Sequence, residues 1–316
     1  MPAALAPYRF AGGTAVLTGA ASRMGEHMAY GLAARGSGLV LIDRDADRLA
    51  TVADRIRKDH PALPVDTHVA DLADTAGLDA LVARITAAHP QITLLINNAG
   101  VALGGRFEQL TAEEFDWVMA VNFRAPVALT RLFLPHLLRT PGSHIVNLSS
   151  LFGLIAPPGQ SAYAASKFAL RGFSESLRHE LADRATGVTT VHPGGIRTRI
   201  AETARVAAGT TEAEIRAGKE SFAKLLTYPA DKAAEQILAA VRTRRPRLLI
   251  APSAVVPDVL ARLFPASYMS VMNRLRPSAG RRAAASTGSS ASATRPVSAP
   301  RPDSATRSAS SRAAKS

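Results

Sequence analysis

The 316-residue chain has no cysteine. This excludes disulfides, thiolate nucleophiles and cysteine-ligated zinc or iron–sulfur centres, and it fits a reducing, cytoplasmic setting. No stretch reaches the roughly 20 uninterrupted apolar residues needed to cross a bilayer. Met1–Phe10 carries one Arg and no apolar run, so it reads as neither a signal peptide nor a span. None of the eight histidines stands at metal-ligand spacing from another His or a carboxylate. No metal site is therefore expected. Internal repeats and nucleic-acid recognition motifs are also lacking.

The composition is that of a globular protein, 47% hydrophobic and 20% charged, with material for a sizeable core. The formal charge of +13 suggests nucleic acid, but its distribution argues against that. Pro277–Ser316 holds Arg281, Arg282, Arg295, Arg301, Arg307, Arg312 and Lys315 against Asp303, in a background of Ser, Ala, Pro and Thr. Val297 is its only large aliphatic residue. Such a segment cannot bury enough surface to offset its ordering entropy, and residues 277–316 are expected to be a disordered basic tail. No nucleic-acid partner is expected.

Short apolar runs at Thr14–Thr18, Gly38–Asp43, Pro64–Val69, Thr93–Ile96, His144–Leu148, Val188–His192 and Arg247–Ile250 alternate with helical patterns. The helical segments are Met24–Arg35, Ala46–Asp59, Thr75–His89, Glu113–Leu138, Ala162–Arg184 and Ala230–Arg244. Several of the runs are continuously apolar, as strands covered on both faces should be. The reading is one α/β domain over 1–276, doubly wound and Rossmann-type, with a seven-stranded parallel sheet and helices on both faces. Within it, 199–228 interrupts the alternation and is expected to form a substrate lid, and 251–276 a C-terminal cover.

The first strand runs into Thr18-Gly19-Ala20-Ala21-Ser22-Arg23-Met24-Gly25 and then a helix. A turn of small residues presents backbone N–H groups and a helix N-terminus to a pyrophosphate. Asp43 follows 18 residues after Gly25, at the end of the second strand, near the spacing at which an acid accepts hydrogen bonds from an adenosine ribose.

Further along come Asp71-Leu72, Asn97-Asn98-Ala99-Gly100, Asn122, Ser150, Tyr163-Ala164-Ala165-Ser166-Lys167 and Pro193-Gly194. With the turn, this series resembles the short-chain dehydrogenase/reductase family, with its TGxxxGxG turn, NNAG strand end, YxxxK helix and PG turn. The resemblance extends over roughly residues 8–250. It implies a nicotinamide dinucleotide held by Thr18, Gly19, Ser22, Arg23, Met24, Gly25, Asp43, Arg44, Asp71, Leu72, Asn98, Ala99, Gly100, Tyr163, Lys167, Pro193, Gly194, Ile196 and Thr198. One departure is Arg23, where the family pattern has its middle glycine. Its guanidinium either pairs with the pyrophosphate or a 2′-phosphate, or swings to solvent. Asp43 would repel a 2′-phosphate and favours NAD, while Arg44 and Arg23 pull toward NADP.

Tyr163 and Lys167, four apart on a helix, share one face. A carbonyl receiving hydride needs a proton at oxygen, and the reverse reaction needs a base. Free tyrosine, with a pKa of about 10, is a poor base at neutral pH, and a neighbouring ammonium and an oxidised nicotinamide should favour its phenolate. The resemblance further implies that Lys167 bonds the nicotinamide ribose, Ser150 holds the substrate oxygen and Asn122 carries a relay water. Ser149 is a weaker candidate, since Ser150 better fits the 13-residue gap to Tyr163. His192 reads as structural.

The uncharged segment Leu151–Gly159 flanks the reacting position and points to an apolar alcohol or ketone as substrate. Val255–Leu275, rich in Val, Leu and Met, reads as a cover over the pocket or a subunit interface, or as a patch resting weakly on a membrane surface. The surplus apolar residues of Glu113–Leu138 and Ala162–Arg184 predict a homodimer or homotetramer. The alternative function is a catalytically weak, nucleotide-binding regulatory or scaffold protein of the same fold, for which Arg23 is the one supporting feature.

Overall fold

The structure is a computed structural model that describes residues 5–275. The seven parallel strands are β1 (Thr14–Thr18), β2 (Gly38–Asp43), β3 (Val65–Val69), β4 (Ile92–Asn97), β5 (His144–Leu148), β6 (Gly187–Pro193) and β7 (Arg247–Ile250). Their order across the sheet is β3-β2-β1-β4-β5-β6-β7, every pair parallel. The direction of winding reverses between β1 and β4, and open α/β sheets bind ligands outside the strand ends at that crevice.

Alternation along the strands feeds two cores. Leu17, Leu39, Leu41, Leu94, Ile96 and Val146 face α1 (Arg23–Ala33), α2 (Ala46–Asp59) and the helix Ala230–Arg242. Val16, Val40, Ile42, Leu95 and Ile145 face α3 (Leu78–Ala88) and two longer helices on the other side. This period of two, with both faces covered, explains why the strands read as unbroken apolar runs.

The expected single helix Glu113–Leu138 is a composite. It runs as α4 (Ala112–Met119), a π-helical turn at Ala120–Arg124, and α5 (Ala125–Arg139). Pro126 lacks the N–H that would close the bond to the carbonyl of Asn122, so the regular ladder cannot pass through this point. α6 (Ser161–Glu180) is continuous.

Residues 199–228 hold more regular structure than an irregular lid would. They form α7 (Ile200–Thr203), a two-residue strand Arg205–Val206 parallel to Leu103–Gly104, and α8 (Glu212–Leu225). α8 opens on a Thr211–Glu214 capping box. Then come α9 (Ala230–Arg242), α10 (Pro252–Leu263) and α11 (Tyr268–Leu275). The described residues up to Met272 form one compact unit. The expected tail, 277–316, lies outside the described residues. Among those described, no helix is long and apolar enough to cross a membrane.

Candidate active site

The C-terminal strand ends at the crevice gather the residues singled out from the sequence. Thr18 closes β1, and its Oγ1 accepts from the N–H groups of Asn98 and Ala99, both at 3.0 Å. The Asn98 amide donates in return to the carbonyls of Thr18 (2.9 Å) and Gly19 (3.0 Å). The turn after β1 is thereby laced to the end of β4.

Gly19 takes φ +65°, and a Cβ there would stand 2.8 Å from Asn98 Nδ2; one on Gly25 would overlap the Gly19 carbonyl. Glycine at both points lets the turn lie flat on the first turn of α1. Ser22 caps that helix, its Oγ accepting from Gly25 N at 3.2 Å. Arg23 is the exposed first residue of α1. Among the described non-glycine residues only Arg244 and Ala251 have positive φ, so the backbone at Arg23 does not demand the family's glycine. Met24 is buried behind it.

Asp43 is braced from two sides. It accepts from Ala21 N at 2.8 Å and from Asp45 N at 3.1 Å, joining the turn after β1 to the entry of α2. Arg44 is exposed beside it. Asp71 is exposed and accepts from Ala73 N at 2.9 Å, while Leu72 is buried. A helix start beside two obligatory glycines, with an acid at the second strand end, fits a dinucleotide.

The π turn carries Asn122 inward. Fully buried, its amide donates to the Val101 carbonyl (2.9 Å) and Ser166 Oγ (3.1 Å), and its Oδ1 accepts from Val101 N (2.9 Å). A Cβ on Gly100 would sit 3.2 Å from Asn122 Oδ1 and 3.3 Å from Lys167 Nζ, which places the NNAG end, Asn122 and Lys167 around one point. Lys167 donates to the Leu148 carbonyl at 2.9 Å, and its Nζ lies 5.8 Å from the centre of the Tyr163 ring.

The two adjacent serines part company. Ser149 is buried and donates to the Lys167 carbonyl at 2.9 Å, bracing α6. The Ser150 hydroxyl acts on the Tyr163 phenol and accepts from Phe152 N at 3.1 Å. The Phe152 ring meets Tyr163 edge-on at 6.0 Å.

Electrostatics here differ in one respect from the sequence-based expectation. Burial pushes the Tyr163 phenol up, and the Ser150 hydrogen bond pulls it back in part; Lys167 is not among the causes. Burial also brings the Lys167 ammonium down to about 8. Both groups are desolvated, and in each it is the charged form that loses.

Across the crevice, Pro193 ends β6, Gly194 N donates to the Ile250 carbonyl at 3.0 Å, and Ile196 is buried in a bridge to Tyr228. A Cβ on Gly195 would overlap the Leu225 carbonyl, so the end of α8 can close onto this turn only over glycine. Thr198 N donates to the Ile196 carbonyl at 2.8 Å.

The segment 199–228 is tied to the opposite bank. Ala208 N donates to Glu114 Oε1 (3.1 Å), Gln109 to Glu214 (3.2 Å), and Arg205 stacks 3.9 Å over Trp117. At its start Arg199 reaches Asp45, the cap of α2, at 3.9 Å. The apolar segment after Ser150 is tied to the C-terminal region, Ala156 N donating to Tyr268 Oη at 2.9 Å. None of these ties was visible in the sequence.

A family model described as short chain dehydrogenase matches residues 13–208. The chain belongs to the short-chain dehydrogenase/reductase family. The protein SadH of Mycobacterium tuberculosis is 38% identical over 273 residues, covering 82% of this chain and 93% of its own. A short-chain dehydrogenase/reductase from Burkholderia phymatum, solved in complex with NAD, is 30% identical with a TM-score of 0.74, over 81% of this chain and 95% of its own. One from Sphingobium yanoikuyae, in complex with NADPH, is 28% identical with a TM-score of 0.67, over 84% and 96%. Family membership gives the fold and the oxidoreductase class; substrate and residue roles must come from the site itself.

Proposed function

We propose that this protein is an NAD(P)-dependent oxidoreductase acting on a carbonyl or secondary alcohol with an apolar flank. The observation that carries the reading is the convergence of Ser150, Tyr163, Lys167 and Asn122 at the end of β5, beside the turn after β1. When bound, the dinucleotide supplies or accepts the hydride. Thr18, Gly19, Ser22, Met24 and Gly25 hold its pyrophosphate end, Asp43 and Arg44 its adenosine, and Asp71 and Leu72 its adenine. Asn98, Ala99 and Gly100 line the middle, and Pro193, Gly194, Ile196 and Thr198 hold the carboxamide.

Tyr163 gives its proton to the substrate oxygen during reduction and takes it back during oxidation. The Ser150 hydroxyl holds that oxygen and steadies the phenol. Lys167, kept desolvated against the Leu148 carbonyl, holds the ribose. Asn122 connects Lys167 to solvent through a relay water. Asp43 favours NAD, since a 2′-phosphate would meet its carboxylate. Arg23 is assigned to the pyrophosphate.

Residues 199–228 act as the substrate lid and α10–α11 as a cover, with Leu154 and Ile155 lining an apolar flank. We assign the protein to the cytoplasm as a homodimer or homotetramer, paired through α5 and α6. The outer face of α6 presents Ala165, Phe168 and Gly172, small or apolar and exposed. The test is turnover of hydrophobic secondary alcohols and ketones with NAD and NADP, in both directions. Cofactor binding without turnover of any compound would favour the regulatory alternative.

A further inference from the structure

His192, beside this site, carries a cost the mechanism leaves unexplained. It lies on β6 with no exposed surface, and its Nδ1 is 3.2 Å from the Ser150 carbonyl. A carbonyl can only accept, so the ring proton is on Nδ1. Nε2 is then an acceptor, and it is buried without a hydrogen-bond partner among the described residues. A leucine in the same place would bury no polar atom without a partner.

The surroundings keep the ring neutral. Arg171 of α6, Arg247 of β7 and Asp258 of α10 all act on it, and burial is the largest influence, bringing it down to about 4; the ring acts in turn on Glu175 of α6. Arg247 pairs with Thr190 across the β6–β7 ladder, so it shares the sheet face of His192, and its Nε is likewise buried without a partner. An orphaned donor and an orphaned acceptor thus share one face of neighbouring strands. A bound water between them would satisfy both.

His192 also has a special place in the chain. Its side chain grips the backbone of Ser150, and its own main chain runs directly into Pro193-Gly194, the turn assigned to the nicotinamide. We propose that His192 is a positioning residue that fixes the Ser150 hydroxyl relative to the 193–196 turn, through a neutral Nδ1–H donated to the Ser150 carbonyl. This rests on the oxidoreductase reading, in which those two points hold the substrate oxygen and the hydride carrier. A misplacement of about 1 Å between reacting groups can cost on the order of 100-fold in rate.

Two measurements test it on the full chain. In 15N-histidine spectra, with the His192 signals assigned by their loss in His192→Asn, the ring should stay neutral and Nδ1-protonated from pH 5 to 8. An Nε2–H tautomer, or titration in that range, overturns the proposal without touching the oxidoreductase reading. In turnover assays, His192→Leu should lose on the order of 10- to 100-fold in kcat with cofactor KM nearly unchanged. His192→Asn, whose amide nitrogen can replace Nδ1, should recover most of that. Equal loss in both variants, or no loss in His192→Leu, overturns the positioning role. A wild-type protein without turnover would count against the oxidoreductase reading instead, and the tautomer would then decide the bond by itself.

Discussion

Lys167 offers a prediction that needs no substrate. In the unfolded chain its ammonium has an ordinary pKa near 10.5, and in the fold burial brings it to about 8. A drop of that size corresponds to roughly 3 kcal/mol by which the fold disfavours the charged form. Below pH 8 both states carry the proton, so the penalty is fully present and constant. Between pH 8 and 10.5 the folded protein has released the proton while the unfolded chain still holds it. Stability therefore rises with pH through that window, and it levels off above it. Lys167→Met keeps the length and removes the charge, but leaves the Leu148 carbonyl without its 2.9 Å donor, at a cost of about 1–3 kcal/mol. These terms nearly cancel at pH 7, so the variant should be about as stable as the parent or slightly more so. The pH dependence does not cancel. Urea unfolding from pH 6 to 10.5 should show the parent gaining roughly 3 kcal/mol on the variant, all of it above pH 8. A difference that stays flat across the range would mean that Lys167 is solvated, and the electrostatic account of the site would fall.

Other expectations follow from single contacts. Tyr163→Phe should abolish turnover and leave dinucleotide affinity nearly unchanged, whereas Lys167→Ala should damage both; calorimetric titration beside rate assays separates them. Ser150→Ala should reduce kcat on the order of 100-fold with the melting temperature nearly intact. Ser149→Ala should instead cost about 1 kcal/mol of stability, since its hydroxyl holds the Lys167 carbonyl. Gly172→Glu, placed on an open face of α6, should shift light-scattering mass from dimer or tetramer toward monomer without unfolding the chain. A monomer in the parent protein would refute the pairing.

The sheet was largely legible because its strands are covered on both faces. Thr14–Thr18, Gly38–Asp43, His144–Leu148 and Arg247–Ile250 lie where their apolar runs place them. The π turn at Ala120–Arg124 was not read, although Pro126 four residues past Asn122 was a usable sign. α8 was also missed, because 199–228 reads in the sequence only as an interruption of the alternation forming a lid; Thr211 with Glu214 three residues on was the signal for a capped start. The choice between Ser149 and Ser150 rested on spacing, and the structure gives each a different partner. The raised Tyr163 phenol could not be foreseen, since burial is a property of the whole fold.

Hydride transfer itself is the central claim. Once a carbonyl substrate is found, reduction with dinucleotide carrying deuterium on one face of nicotinamide C4 can be followed by mass spectrometry of the product alcohol. The account predicts that label from one face passes completely to the carbinol carbon, that label from the other stays on the cofactor, and that Tyr163→Phe forms no product. Product free of deuterium from either face, or equal label from both, would contradict it.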